Sequence, residues 1–290
     1  MVRRTVTGAA EMLEVTQPVV TRLIAEFEDR IAMPLFERIK GRLVPTPEAM
    51  LLFDDVHQSL VGVERIANAA SNIKTMKIPR LEIAAAPAMG LSFLPRAIAS
   101  FMTEHPDTLV SLQTQSTTTV LDMVQSGRCD LGFAMLNMRN GRYGNSEVLV
   151  SARMVGVVPA GHRLADRQVL HPEDFDQEDF ISLAPLMERR TQIDAIMLSH
   201  NVHPRIKAEA QLSSAIIKLV EAGVGIGLVE PLTASAYAGD AVKVISFEPT
   251  VQVDYSMVIS QRMSSTLLLK PFVDHARREI LKMVPPAFIV

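Results

Sequence analysis

From Arg80 onward, short apolar runs alternate with amphipathic ones, and this alternation constrains the fold more than any single motif does. Leu81–Ala86 reads as a strand, Pro87-Ala88-Met89-Gly90 as a turn, and Phe93 through Phe101 as a helix ending before Glu104. Val110–Gln115 is the next strand, Ser116-Thr117-Thr118-Thr119 opens a helix running through Val124 to Gly127, and Asp130–Ala134 is a third strand. Strands spaced by helices of this length predict parallel pairing through right-handed crossovers. The pattern then repeats. Strands are expected over Met154–Val158, Phe180–Leu183, Arg205–Ala210, Ile226–Val229, Val242–Phe247 and Asp254–Ile259, with helices over Arg190–Ser199, Ser213–Ala222 and Ser265–Met283. Two small α/β lobes joined by crossing strands make a clam-shaped binding module, with lobe I over 80–150 and 255–290 and lobe II over 151–254.

The first quarter of the chain has a different texture. Ala9, Ala10 and Leu13 recur at helical spacing, and the alanines permit close helix approach. Thr16 is suited to cap a second helix through its hydroxyl, with Gln17 and Pro18 in the first turn. Val19, Leu23, Ile24, Phe27 and Ile31 form its apolar stripe, leaving Gln17, Thr21, Arg22 and Glu28 on other faces. Two short helices about a tight turn can place the second in a DNA major groove, though an ordinary helical hairpin shares the pattern. Phe36–Ile39 and Arg42–Val44 flank Lys40-Gly41 as a hairpin with a basic tip. Thr46-Pro47-Glu48 starts another helix. Residues 47–76 carry Leu51, Leu52, Val56, Leu60, Val63, Ile66, Ala67 and Ala70 at steps of three and four, and Lys74-Thr75-Met76-Lys77-Ile78-Pro79 interrupts them as a hinge.

The runs Ala9-Ala10-Glu11-Met12-Leu13, Thr16-Gln17-Pro18 and Thr21-Arg22-Leu23-Ile24, followed by Pro34-Leu35-Phe36-Glu37-Arg38 and Val44-Pro45-Thr46-Pro47-Glu48-Ala49, resemble the winged helix-turn-helix of the LysR-type transcriptional regulators. The two-lobed module is similar to their effector-binding part, so the resemblance extends over essentially the whole chain. It implies an α/β protein with an α-rich head. The parts would be a winged helix-turn-helix over 1–46, a linker and dimerisation helix over 47–78, and a two-lobed effector-binding domain of periplasmic-binding-protein type over 79–290. Double-stranded DNA, a small-molecule effector, and assembly as a homodimer or homotetramer follow from the same resemblance, with no cofactor. Thr16, Gln17, Pro18, Thr21 and Arg22 would face DNA, with Lys40 and Arg42 on the wing reaching phosphates. The wording around Thr7–Glu28 is closest to regulators of amino-acid and opine metabolism. Members of the family carry a further helix before the helix-turn-helix, and Met1 falls where it would end. A head short by one helix, with part of its core exposed, is therefore expected.

Composition narrows the alternatives. At 290 residues and 48% hydrophobic content the chain has material for more than one core. No run of eighteen apolar residues suggests a membrane span, and the first residues lack a leader's charged-then-apolar layout. Cys129 stands alone, which fits a reducing cytoplasm. Net charge is −3, and residues 1–46 hold seven Lys/Arg against six Asp/Glu, so DNA binding must rest on local placement. No Walker loop, dinucleotide fingerprint or nucleophile elbow is present. Ala222-Gly223-Val224-Gly225-Ile226-Gly227 joins a helix end to a strand, the reverse of a phosphate loop. His200 and His203 lack further ligands, so neither metal site nor catalytic residue is expected. The alternative class is a cytoplasmic small-molecule-binding protein that does not bind DNA.

In an open α/β sheet a ligand sits beyond the carboxyl ends of the strands, where unpaired helix N–H groups favour anions. The candidates are Pro87, Ala88 and Met89 after the first strand; Ser116, Thr117 and Thr118 after the second; and Gln211, Leu212 and Ser213 in lobe II. Ala134 and Met135 would floor the cleft. Glu230 would line the far wall as partner to an amine or guanidinium, or stand as a solvated loop acid. Arg189 and Arg190 read as a surface pair or as residues near the cleft mouth. Plain helix capping explains the hydroxyls equally well until both lobes are seen to converge.

Overall fold

Thr5 opens the first helix by accepting a 3.1 Å hydrogen bond from the Gly8 amide. The computed structural model describes residues 5–39, 42–53, 56, 79–136, 145–185, 187–260 and 268–290, in two units, Met1–Met76 and Lys77–Val290. In the first unit the helix Val6–Met12 packs on the helix Gln17–Ile31, burying Ala10 and Val20. Glu14 turns the chain with φ of 54°. Thr16 holds the cap position in extended backbone, but its hydroxyl makes no cap bond; its carbonyl accepts from the Val19 and Val20 amides instead. The expected stripe is only partly covered, since Leu23 and Phe27 are 49% and 42% exposed among the described residues while Val20, outside the stripe, is buried.

Strands β1 (Phe36–Ile39) and β2 (Arg42–Pro45) pair antiparallel, with Ile39 opposite Arg42. Lys40 and Gly41 lie outside the described residues, as does the Arg42 side chain. Thr46 caps the following helix, donating to the Pro34 carbonyl at 3.0 Å and accepting from Ala49 at 3.1 Å. That helix is described over 47–53 and at 56; the rest of the expected 47–78 arm lies outside the described residues.

The second unit holds two sheets. One has the order β4-β3-β5-β13-β6, built from β3 (Arg80–Ala85), β4 (Leu109–Thr114), β5 (Leu131–Met135), β6 (Ser146–Arg153) and β13 (Gln252–Ile259). The other has the order β10-β9-β11-β7-β12-β8, built from β7 (Val155–Pro159), β8 (Val169–Leu170), β9 (Asp179–Leu183), β10 (Arg205–Ala210), β11 (Ile226–Val229) and β12 (Val242–Phe247). The strand–helix–strand segments are parallel as expected: β3 with β4 and β5, and β9 with β10 and β11. Beyond these segments β12 also runs parallel to β8, and the remaining pairings are antiparallel. β13 runs antiparallel to β5 and β6, and β7 antiparallel to β11 and β12. These strands arrive from the other sheet without a helical crossover, so each enters from the opposite end. Strand β6 was not foreseen, and the Pro87–Gly90 turn is a single helical turn.

Period-two alternation sorts the first sheet's residues between two cores. Leu81, Ile83, Leu131, Phe133, Tyr255 and Met257 join the larger core with the helices Leu94–Glu104 and Leu269–Met283, where Phe101 and Phe272 meet edge to face at 5.3 Å. Ala84, Ala86, Ala134 and Val258 face the opposite core beneath the helix Thr117–Gln125. Gly223 takes φ of 76° at the helix end, and a Cβ on Gly225 would stand 2.2 Å from the Asp179 carbonyl oxygen.

Candidate functional site

Six strand ends converge on one cleft of about 710 Å³. Ala86 and Pro87 follow β3, Gln115 and Ser116 follow β4, and Met135 ends β5; from the second sheet come Leu183 at the end of β9, Gln211 after β10 and Glu230 after β11. Met154 and Val253, on the crossing segments, also line it. Helices of both sheets begin at the cleft, two of them with hydroxyl side chains in the first turn. Ser116 caps Thr117–Gln125, its hydroxyl accepting from the Thr119 amide at 3.3 Å. Leu212 precedes Ser213–Glu221 without a side-chain cap, leaving first-turn amides there uncapped by a side chain.

Of the effector-site candidates, Pro87, Ala88, Ser116, Thr117, Thr118, Met135, Gln211, Leu212, Ser213 and Glu230 all line this cleft. Met89 and Ala134 do not. Met89 is fully buried in the larger core, and Ala134 faces the helix side of the sheet because its neighbour Met135 takes the cleft side.

Glu230 is neither a solvated acid nor a free cation partner. It is 4% exposed and caps the helix Pro231–Tyr237, which sequence reasoning missed. Its carboxylate accepts from the Thr233 amide at 2.8 Å, from the Thr233 hydroxyl and from the Ser213 hydroxyl. Burial outweighs these donors and raises its pKa from 4.5 to about 7. The helix it caps ties the two sheets, because the Leu232 amide donates to the Tyr255 hydroxyl on β13 at 3.1 Å.

The arginine pair is half-buried rather than superficial. Arg190 is 14% exposed and holds Asp194 at 2.6 Å, Glu209 at 2.9 Å and the Leu183 carbonyl at 2.8 Å. Arg189 lines the cleft. Cys129 is buried, and desolvation pushes its thiol to about 12, so it stays protonated and unreactive at neutral pH. His200 terminates the helix Glu188–Ser199, and no cluster of metal-ligating side chains occurs among the described residues. No helix among the described residues is long and apolar enough to cross a membrane.

In the first unit Thr16, Gln17, Pro18, Thr21 and Arg22 are all exposed at the start of the second helix. Thr21 donates to the Gln17 carbonyl at 3.1 Å, and Arg22 lies 3.5 Å from Glu26 with both ends in solvent.

Residues 77–280 match the family described as the LysR substrate binding domain, and residues 1–50 match the bacterial regulatory helix-turn-helix proteins of the lysR family. The transcriptional activator protein LysR of Escherichia coli is 34% identical over 98% of this chain and 91% of its own. The chain belongs to the LysR family of transcriptional regulators. The regulatory protein NocR of Agrobacterium tumefaciens is 35% identical to this LysR-type regulator over 96% of the chain and 92% of its own. The octopine catabolism/uptake operon regulatory protein OccR of Rhizobium meliloti is 34% identical over 79% and 75%. The solved LysR family regulator CbnR shares the fold, with a TM-score of 0.67 at 19% identity over 95% of this chain and 93% of that one. This is a family of DNA-binding regulators with an effector-binding domain, not of enzymes.

Proposed function

We propose that this LysR-type regulator senses an amino-acid-like or opine-like carboxylate in the cleft between its two sheets and reads double-stranded DNA with the Gln17–Ile31 helix. The convergence of helix starts from both sheets on one cleft supports the effector reading most directly. First-turn N–H groups at Thr117, Thr118 and Ser213 suit a carboxylate. The name of one relative, the octopine catabolism/uptake operon regulatory protein OccR, points the same way. The layout we propose is a DNA-reading head over 1–46, a pairing arm over 47–78 that makes a homodimer or homotetramer, and a sensor over 79–290, working in the cytoplasm without cofactor or catalysis.

On the DNA side, Gln17 and Thr21 suit base edges, Arg22 suits phosphate or guanine, and Lys40 and Arg42 suit backbone phosphate. Arg22→Ala is expected to weaken binding to DNA upstream of its own gene by about tenfold or more in a gel shift at fixed salt. Unchanged affinity removes Arg22 from the interface. No shift by the native protein favours a small-molecule-binding protein without DNA activity. For the effector, a thermal-shift screen of amino acids, opines and aromatic acids on the full chain is expected to respond to the first two classes. A response to aromatic acids alone overturns that preference.

A further inference from the structure

Arg189 sits where local physics disfavours it. It occupies the first turn of the helix Glu188–Ser199, the positive end of the helix dipole, where a cation is destabilising and an acid is preferred. Its side chain is only 13% exposed, and its Nε is buried without a hydrogen-bond partner among the described residues. Glu188 Oε2 lies 3.9 Å from Nη1, beyond hydrogen-bonding range. A guanidinium has five donors in a fork shaped for a carboxylate, and a buried one left short of acceptors is costly. Departures of this kind from local rules mark functional positions.

The position of Arg189 supplies the missing acceptor's source. It lines the main cleft of about 710 Å³ and also a second cavity of about 440 Å³, which Gln192, Thr250, Gln252 and Asp254 help to form. The main cleft therefore has two cationic poles: the helix starts at Ser116–Thr118 and Ser213, and the Arg189 guanidinium. Glu230 does not cancel the second pole. Its oxygens are taken by Thr233 and Ser213, and burial keeps it partly protonated at neutral pH. In the second cavity Asp254 accepts from Ser151 at 2.7 Å and from Gln252 at 2.8 Å, both at Oδ1.

We propose that Arg189 binds a second carboxylate of the effector, so that the sensed molecule is a dicarboxylate, such as an N-carboxyalkyl amino acid, rather than a simple amino acid. The first carboxylate rests on the helix starts and the second on the Arg189 fork. This rests on the reading that the cleft takes an amino-acid-like or opine-like carboxylate, and it adds which of the two.

The test is isothermal titration of the full-length protein with matched pairs that differ by one carboxylate-bearing arm: L-arginine against octopine, its N-(1-carboxyethyl) derivative, and L-lysine against N-(1-carboxyethyl)-lysine. The dicarboxylate of at least one pair is expected to bind about thirtyfold or more tighter than its partner. Arg189→Gln is expected to bring that dicarboxylate to its partner's affinity while leaving the partner within about twofold, and Arg189→Lys to recover part of the difference. Equal affinities within both pairs overturn the assignment, as does an Arg189→Gln loss shared by both members. Binding of the simple amino acids alone overturns this proposal and leaves the broader reading standing. Binding of none of the four overturns both. The comparison within each pair needs only the native protein, so it decides the matter even if the glutamine variant fails to fold.

Discussion

Glu230→Gln is expected to gain stability relative to the native protein as pH rises from about 5 to about 8, by on the order of 3 kcal/mol. Three donors address the carboxylate, two from Thr233 and one from Ser213, yet it is 4% exposed and burial dominates. A pKa raised from 4.5 to about 7 means the folded state prefers the protonated acid. Its stabilising contribution is therefore complete below about pH 4.5 and is lost as pH climbs through about 7. At 1.36 kcal/mol per pH unit that interval gives the stated magnitude. Glutamine cannot ionise, keeps an acceptor for Thr233, and is indifferent to pH across the window. Urea midpoints of both proteins, taken at about pH 5, 6, 7 and 8, read the difference directly. A constant offset between the two curves would mean that Glu230 titrates as a surface acid. Because Glu230 caps the helix whose Leu232 amide reaches Tyr255 on the other sheet, the same titration acts on a tie between the lobes.

Glu28→Ala is expected to destabilise the head by about 2 to 3 kcal/mol, since hydrogen bonds to a charged acceptor are the stronger class. One oxygen of Glu28 accepts from two successive backbone amides, Leu35 at 2.6 Å and Phe36 at 2.9 Å. It thereby joins the Gln17–Ile31 helix to the strand that opens the hairpin. Alanine leaves both amides without that acceptor in a half-buried setting. Hydrogen exchange at Leu35 and Phe36 in the full chain is the measurement, with both amides expected to lose protection first. Glu28→Gln, which retains one neutral acceptor oxygen, is expected to lose less. Unchanged protection in the alanine variant would show that Thr46 and the β1–β2 pairing hold the entry to the hairpin on their own.

Local signals in the sequence were strong where a segment's own chemistry decides its shape. Thr46 caps a helix as its position before Pro47 implies, and Gly223 stops one in left-handed backbone. The two strand–helix–strand stretches of each lobe are parallel, as helices of that length between strands require. Where partners distant in sequence decide, the local reading failed. Thr16 has the hydroxyl for a cap but does not use it, because its carbonyl alone serves the Val19 and Val20 amides. Strand β6 was invisible because its identity as a strand depends on β13, some hundred residues on, with Gln252 opposite Arg153.

The cleft divides along the same line. Hydroxyls at helix starts after strands are a sequence pattern, and ten of the twelve candidates chosen by it share one cavity. Met89 and Ala134 fell outside because a one-residue step along a strand or a tight turn changes the face, and register is set by pairing. The electrostatic character of the site was beyond the sequence altogether. Nothing in the order of residues says that Glu230 is buried, or that Arg189 Nε lies between two cavities without an acceptor among the described residues. The sequence by itself determined the family, the helix-turn-helix and the alternation that makes two α/β lobes, since these follow from local periodicity and capping. Only the tertiary structure decided which strands run antiparallel, which carboxylate is desolvated and which arginine faces the cleft. Burial and pairing belong to groups brought together from far apart in the chain.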